Sequence, residues 1–364
     1  MATRRSSPSS PLIPLRSGSI RYSNCQHSSL GPRTMPAGRL SFSPRNAERL
    51  RASGLRVVLT GATGWLGQAA LEMLESAFGH GIESRVCPFA SRARNLRLRS
   101  GSQIDVRPLP ELDRLPRAPT LLLHFAYLTK DRTFDLSVQE FDRLNGQIRS
   151  TVGEAIERIG VSHILLPSSG AVYGMPTTPD RSLCDDPVGN PYGTQKIRDE
   201  QFFARKAREH SARILIARIF NLGGPFINKY DGYALSSIIH EAMSGRPIAL
   251  RATRRVLRSY TSVRDLLDVS IGWLLTSDKS EAFTFDTHGD PIVEVGELAE
   301  LVKHVLGRPD IRIERPPLQP LPDDRYLGDG RRFAALAAEQ GVPLADLTAQ
   351  IRQTADYMAS ASAA

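Results

Sequence analysis

The stretch Thr60-Gly61-Ala62-Thr63-Gly64-Trp65-Leu66-Gly67 limits what this chain can fold into more than any other. Before it, Leu55 to Leu59 is a short apolar run that reads as a strand. After it, Gln68 to Glu75 is rich in helix formers, with Leu71, Leu74 and Phe78 at helical spacing. A strand, a glycine turn and a helix form the start of a dinucleotide site. Gly61 permits the sharp turn, Gly64 lets backbone N–H groups approach a pyrophosphate, and Gly67 lets the helix pack closely on a sheet. The helix N-terminus then offers its orphan donors and positive dipole end to the phosphates. Alone, the motif supports only the binding of a nucleotide.

Downstream, apolar strands alternate with helical patterns. Arg85–Ala90, Ile104–Arg107, Thr120–Tyr127, His163–Pro167 and Arg213–Phe220 read as strands. Asp135–Ile159 and the stretch from Asn190 to about His210 read as helices. That alternation predicts an α/β fold, a doubly wound parallel sheet over residues 55–220. Beyond Asn221 the elements shorten and Gly and Pro rise, so 221–364 reads mainly as a smaller substrate-binding lobe.

The net charge of +9 suggests nucleic acid until it is placed. Residues 1–54 hold nine Arg, one Glu and no Lys, which is +8 of that total. The remainder is close to neutral, so no basic face for nucleic acid is expected on the domain. Residues 1–54 are rich in Ser, Pro and Arg, read as a disordered basic tail, and are expected to be dispensable for fold and activity. They resemble an organelle transit peptide in composition; a solvated tail, or a true start at Met35, is the favoured reading. No apolar run reaches the roughly 18–20 residues of a membrane span, so no membrane partner is expected. Cys25, Cys87 and Cys184 are scattered, which fits a reducing compartment, read as the cytoplasm. No metal is implied.

About 20 residues past the glycines, dinucleotide sites that prefer NAD carry an acid for the ribose 2′-OH. Here that place holds Ser91 and Arg92. Arg92 could pair with a 2′-phosphate, which favours NADP over NAD; the alternative is a plain surface charge. Asn190-Pro191 begins a helix with an N-cap and a first-position proline. Tyr192 and Lys196 then lie four apart on one face. A free Tyr has a pKa of about 10, and a nearby ammonium lowers it toward the range useful for acid/base work. Ser169, at the end of a neighbouring strand, could bond the same oxygen.

The motifs TGATGWLG, HFAY, Asn145, SSGAVYG, NPYGTQK, ARIFNLGGP and RSYTSVRD occur in order from about Leu55 to beyond Asp329. In them the chain resembles the extended short-chain dehydrogenase/reductase superfamily, in particular the NAD-dependent epimerase/dehydratase family acting on nucleotide sugars. The resemblance implies that Gly61, Thr63, Gly64, Trp65, Leu66 and Gly67 hold the pyrophosphate and that Phe125, Ala126, Tyr127 and Ser168 line the cofactor. Asn145 would support the site from its helix. Ser169, Tyr192 and Lys196 would be the catalytic triad, Lys196 also binding the nicotinamide ribose. Asn221 and Arg258 would hold the substrate's nucleotide diphosphate. A homodimer through a four-helix contact is implied as well. The family's dehydratases carry an Asp-Glu pair where this chain has Gly170 and Ala171, which disfavours water elimination.

The reading is therefore an NAD(P)-dependent nucleotide-sugar epimerase or 4-ketoreductase. Its rival is a non-catalytic NAD(P)-binding protein kept for regulation or assembly, whose mark would be a damaged triad. Nucleic-acid binding by the Arg-rich tail rests on composition alone.

Overall fold

Alternate residues of the central strands enter two different cores, and this fixes the layering. Val57, Leu59, Leu121, Leu123, Leu215 and Ala217 face one side, while Val58, Leu122, Ile164, Leu166, Ile214 and Ile216 face the other. A computed structural model describes residues 38–129, 135–174, 181–278 and 281–362. Helix α1 covers Pro44–Ala52 and strand β1 Arg56–Thr60. Helices α2 (Trp65–Phe78) and α3 (Ile82–Arg85) lead to β2 (Val86–Ala90), β3 (Arg94–Arg97), β4 (Gln103–Pro108) and β5 (Thr120–His124). Next come α4 (Val138–Ile159), β6 (Val161–Ser169), α5 (Pro191–Glu209), β7 (Arg213–Ile219) and β8 (Leu222–Gly223). The chain continues through α6 (Ala234–Met243), β9 (Ile248–Ala249), β10 (Val256–Arg258), β11 (Thr261–Ser262), α7 (Val263–Thr276), β12 (Phe283–Asp286) and β13 (Val293–Glu294). It ends with α8 (Val295–Val305), β14 (Ile313–Glu314), β15 (Asp324–Tyr326), α9 (Arg331–Gln340) and α10 (Leu347–Ser362).

The main sheet has the order β12-β7-β6-β5-β1-β2-β4-β3. All its pairings are parallel except β3 with β4. From β1 the chain builds outward through β2 to β4, then returns to β5 and builds the other way. The switch point lies between β1 and β5, and ligands of open α/β sheets bind at the carboxyl ends of strands there. The expected strands and helices between residues 55 and 220 are all present as a doubly wound sheet.

Two expectations need correction. The disordered reading of 1–54 fails for its last part; residues 1–37 lie outside the described residues. Leu40, Phe42 and Leu50 are buried in the main core, and α1 packs on α2 and α7. The segment also satisfies two buried carboxylates. Asp268 accepts from Ser43 N at 2.8 Å, Ser43 Oγ at 3.1 Å and Asn46 Nδ2 at 2.9 Å. Glu72 accepts from Leu40 N at 2.8 Å and from Arg99 Nε at 2.8 Å.

The boundary at residue 220 is also crossed. β12 pairs with β7 in the main sheet, α7 packs on β6 and β7, and Phe333 of α9 joins the main core. The separate apolar cluster of the lobe is built chiefly from α6, α8 and α10 around Ile248, Tyr260 and Val293. The described residues form one compact unit. No helix among them is long and apolar enough to cross a membrane.

Candidate active site

The glycine turn follows β1 directly. Gly61 adopts φ +74, and a Cβ there would lie 2.5 Å from the Phe125 carbonyl carbon. A Cβ on Gly67 would lie 2.2 Å from Gly61 O, so α2 can begin this close to β1 only with glycine. Gly64 is different: its Cβ would meet only Gly61 O, at 3.4 Å. Gly64 is also the N-cap of α2, and no side chain caps that helix. The first-turn N–H groups therefore keep their capacity for an anion, and the cradle fits a dinucleotide's pyrophosphate. Trp65 does not face the cradle alone; its Nε1 donates to Pro225 O at 2.7 Å and ties the turn to the second half of the chain.

The turn after β5 is braced from both sides. Phe125 N donates to Thr60 O at 3.0 Å and Ala126 N to Thr60 Oγ1 at 3.2 Å. Asn145, buried on α4, accepts from Leu128 N at 2.9 Å and donates to Phe141 O at 3.2 Å. His124 shares a 2.8 Å hydrogen bond with Thr60 Oγ1, and burial followed by the Lys196 charge pushes its pKa down to about 3. It is a neutral structural histidine.

β6 ends in a 3₁₀ turn over Gly170–Tyr173. Ser169 caps it by accepting from Ala171 N at 3.2 Å. Asn190 caps α5 as its sequence predicts, accepting from Gly193 N at 3.1 Å, and its Nδ2 reaches back to Ala171 O at 2.8 Å. This pair of bonds clamps the first turn of α5 to the end of β6. Tyr192, in that first turn, is thereby held beside the end of β6 that carries Ser169.

The electrostatics differ from the expectation. Burial pushes the Tyr192 phenol well above its ordinary value; the neighbouring Tyr326 adds to the rise and the Ser169 hydroxyl opposes it. The ammonium expected to lower it faces elsewhere. Lys196 Nζ donates to Pro167 O at 3.1 Å and sits 3.5 Å from the centroid of the Tyr127 ring. Burial lowers its pKa to about 8 against the opposing pull of Asp199 and Glu200. The Tyr127 ring meets the Tyr192 ring edge-on, with centroids 5.8 Å apart.

Sequence reasoning missed Tyr326. This side chain from β15 places its hydroxyl 3.2 Å from Ser169 Oγ, and burial pushes its pKa up to about 12. Its strand is three residues long and lies 157 positions from Ser169, so no local pattern announces it. An ionic network behind the hydroxyls was missed as well. Ser168 Oγ donates to Glu200 at 2.5 Å, and Arg218 donates to both Glu200 oxygens at 2.9 and 2.6 Å. Arg218 also donates to Tyr173 OH at 2.6 Å, and Tyr173 OH donates to Asp286 at 2.9 Å. Ser168 is thus turned toward the protein.

The residues expected to hold the substrate have internal partners. Asn221 Nδ2 donates to Ser259 O at 3.1 Å and Tyr326 O at 3.3 Å. Arg258 is bound by Asp324 at 3.1 and 3.3 Å. Arg92 is exposed just past the end of β2. Gly170 cannot be exchanged for an acid in this packing, because a Cβ would meet the Phe220 ring at 2.5 Å.

A glycine cradle at the switch point of a doubly wound sheet defines a dinucleotide-binding α/β fold. Residues 57–284 match the NAD dependent epimerase/dehydratase family, and the chain belongs to that family. UDP-glucuronic acid decarboxylase 5 of Arabidopsis thaliana is 26% identical over 307 residues, 80% of this chain and 85% of the relative. UDP-glucose 4-epimerase of Azospirillum brasilense is 28% identical over 233 residues, 60% of this chain and 66% of the relative. Among solved structures, the Thermus thermophilus UDP-glucose 4-epimerase in complex with NAD superposes with a TM-score of 0.62. It is 19% identical, with 84% of this chain and 100% of that chain covered.

Proposed function

We propose that the chain is an NAD(P)-dependent nucleotide-sugar epimerase or 4-ketoreductase. The observation that supports the reading is the clamp from Asn190 that fixes the first turn of α5, which carries Tyr192, against the end of β6, which carries Ser169. The cradle of Gly61, Gly64 and Gly67 would hold the pyrophosphate, and Lys196 the nicotinamide ribose. When bound, the nicotinamide supplies hydride transfer at a sugar carbon. Tyr192, kept protonated by burial, would donate a proton to the oxygen of that carbon in the reducing direction. Ser169, held by Ala171 N and Tyr326, would orient the same oxygen. Gly170 and Ala171 supply no acid for water elimination.

A decarboxylase is the second reading, favoured by the Arabidopsis thaliana relative that matches most of the chain. The test is to identify the cofactor that co-purifies, then to follow UDP-glucose and UDP-glucuronic acid by NMR. An inverted 4-position supports the epimerase, and release of carbon dioxide supports the decarboxylase. No conversion of any nucleotide sugar or 4-keto sugar by a cofactor-loaded protein would sink the enzymatic reading.

For the cofactor, exposed Arg92 and the absence of an acid beside it support NADP. Arg92→Ala should weaken NADP at least tenfold more than NAD, since a charge-assisted contact contributes about 1.5–3 kcal/mol. Equal losses measured by calorimetry would remove Arg92 as a reader of the 2′-phosphate.

A further inference from the structure

We propose that Asp324 is a built-in counter-ion that occupies Arg258 where the substrate's diphosphate would bind, so that the diphosphate must displace a carboxylate. This rests on the nucleotide-sugar reading above. Arg258 ends β10 and Asp324 begins β15, and the two strands pair in parallel. Arg258 Nη1 donates to Asp324 Oδ1 at 3.1 Å and Nη2 to Asp324 Oδ2 at 3.3 Å, a two-pronged pair. Nη1 also donates to Leu257 O at 2.9 Å and to Asp324 O at 3.1 Å. Only 14% of the Arg258 side chain is exposed, against 33% for Asp324. The guanidinium is thus fixed by backbone carbonyls, while its carboxylate partner lies nearer to solvent.

A guanidinium fork offers the same planar edge to a carboxylate and to a phosphate. Both cannot fill that edge together, so a diphosphate arriving there exchanges with Asp324. The neighbouring acid does not duplicate this role, since Asp323 faces Arg255 at 3.9 Å. Residues two apart on a strand share a face, so Asp324 and Tyr326 look the same way from β15. One end of that face meets Arg258, and the other meets Ser169 through the Tyr326 hydroxyl. The guanidinium's counter-ion and the hydroxyl beside Ser169 are therefore set by a single strand, and Asp324 determines how costly it is for an anion to reach Arg258.

The experiment is calorimetric titration of the full chain with UDP. Asp324→Asn keeps the shape and an acceptor but removes the competing charge, and should bind UDP at least tenfold more tightly than wild type. Asp324→Glu retains the charge and should show no such gain, and Arg258→Ala should lose most of the binding. Each variant is first checked for an unchanged melting transition, and Asp324→Ser replaces Asp324→Asn if that one fails to fold. Equal or weaker UDP binding without the charge, or an equal gain in Asp324→Glu, overturns the counter-ion. If that happens while Arg258→Ala still loses UDP, the diphosphate reading stands. If UDP binds no variant, or binds Arg258→Ala as well as wild type, both fail.

Discussion

Tyr192 and Lys196 occupy successive turns of one helix face, yet their surroundings push both toward the neutral form. For Tyr192 the consequence is catalytic. Tyr192→Phe removes the proposed proton donor and keeps the ring that meets Tyr127, so turnover should fall by roughly 10²–10⁴ with cofactor affinity little changed. A Phe variant with wild-type kcat would take Tyr192 out of the mechanism. For Lys196 the consequence is a pH dependence of stability. Its folded value of about 8 lies below the ordinary 10.5, so the cost of burying the charge is fully present below about 8. Between those values the unfolded chain binds more protons than the folded one, and stability rises with pH through that window. Lys196→Met lacks this titration. The apoprotein variant should exceed wild type by a margin that shrinks by on the order of 3 kcal/mol between about pH 7.5 and about pH 10.5. Urea unfolding at several pH values checks this, and a margin that does not change with pH would contradict it. Residues whose role is local were legible: the Asn190 cap, the Gly61 turn and the Tyr192–Lys196 spacing all act within a few positions. The direction of the Lys196 ammonium was not, because Pro167 near the end of β6 and Tyr127 in the turn after β5 capture it.

At the level of elements, α1 shows how a composition can mislead. Its Arg-rich surroundings suggest disorder, although Ser43-Pro44 is a recognisable helix start. Its stability comes from contacts far away in sequence, with Asp268 lying 225 positions from Ser43. The expectation that residues 1–54 can be removed without effect is therefore reversed. Removing them takes Leu40, Phe42 and Leu50 from the core and leaves Asp268 and Glu72 buried with fewer donors. Each large apolar side chain contributes about 1.5–3 kcal/mol, and each orphaned buried group costs about 1–3 kcal/mol. The total is comparable with the roughly 5–15 kcal/mol that typically holds a domain together. A chain beginning at Leu55 should be insoluble or lack the cooperative melt of the full chain. A Leu55 truncation that melts with the full chain would show α1 to be an ornament.

The whole molecule is organised by a sheet whose strands come from both halves of the chain. The central strands β1, β2, β5, β6 and β7 were legible because parallel strands buried on both faces leave continuous apolar runs. The closing strand β12 was not: it has only four residues, comes long after β7 has ended, and carries no distinctive run. A division at residue 220 is thus a change of texture in the sequence rather than a boundary of the core. Fragment 38–220 tests this directly. It retains the glycine turn, Ser169, Tyr192 and Lys196, so a self-sufficient dinucleotide domain would bind cofactor. It lacks α7, β12 and α9, whose Val263, Leu266, Leu267, Trp273, Leu274, Phe285 and Phe333 fill one face of the sheet. It also exposes β7 as an edge, a ready template for pairing with another chain. Asn46 and Ser43 lose Asp268, which lies on α7. The fragment should aggregate or show no cooperative transition by near-UV circular dichroism, and it should not bind NAD or NADP. Co-expression with 221–364 should restore a soluble complex if the core is shared as described. A monomeric 38–220 that melts cooperatively and binds cofactor alone would show instead that the fold closes before residue 221.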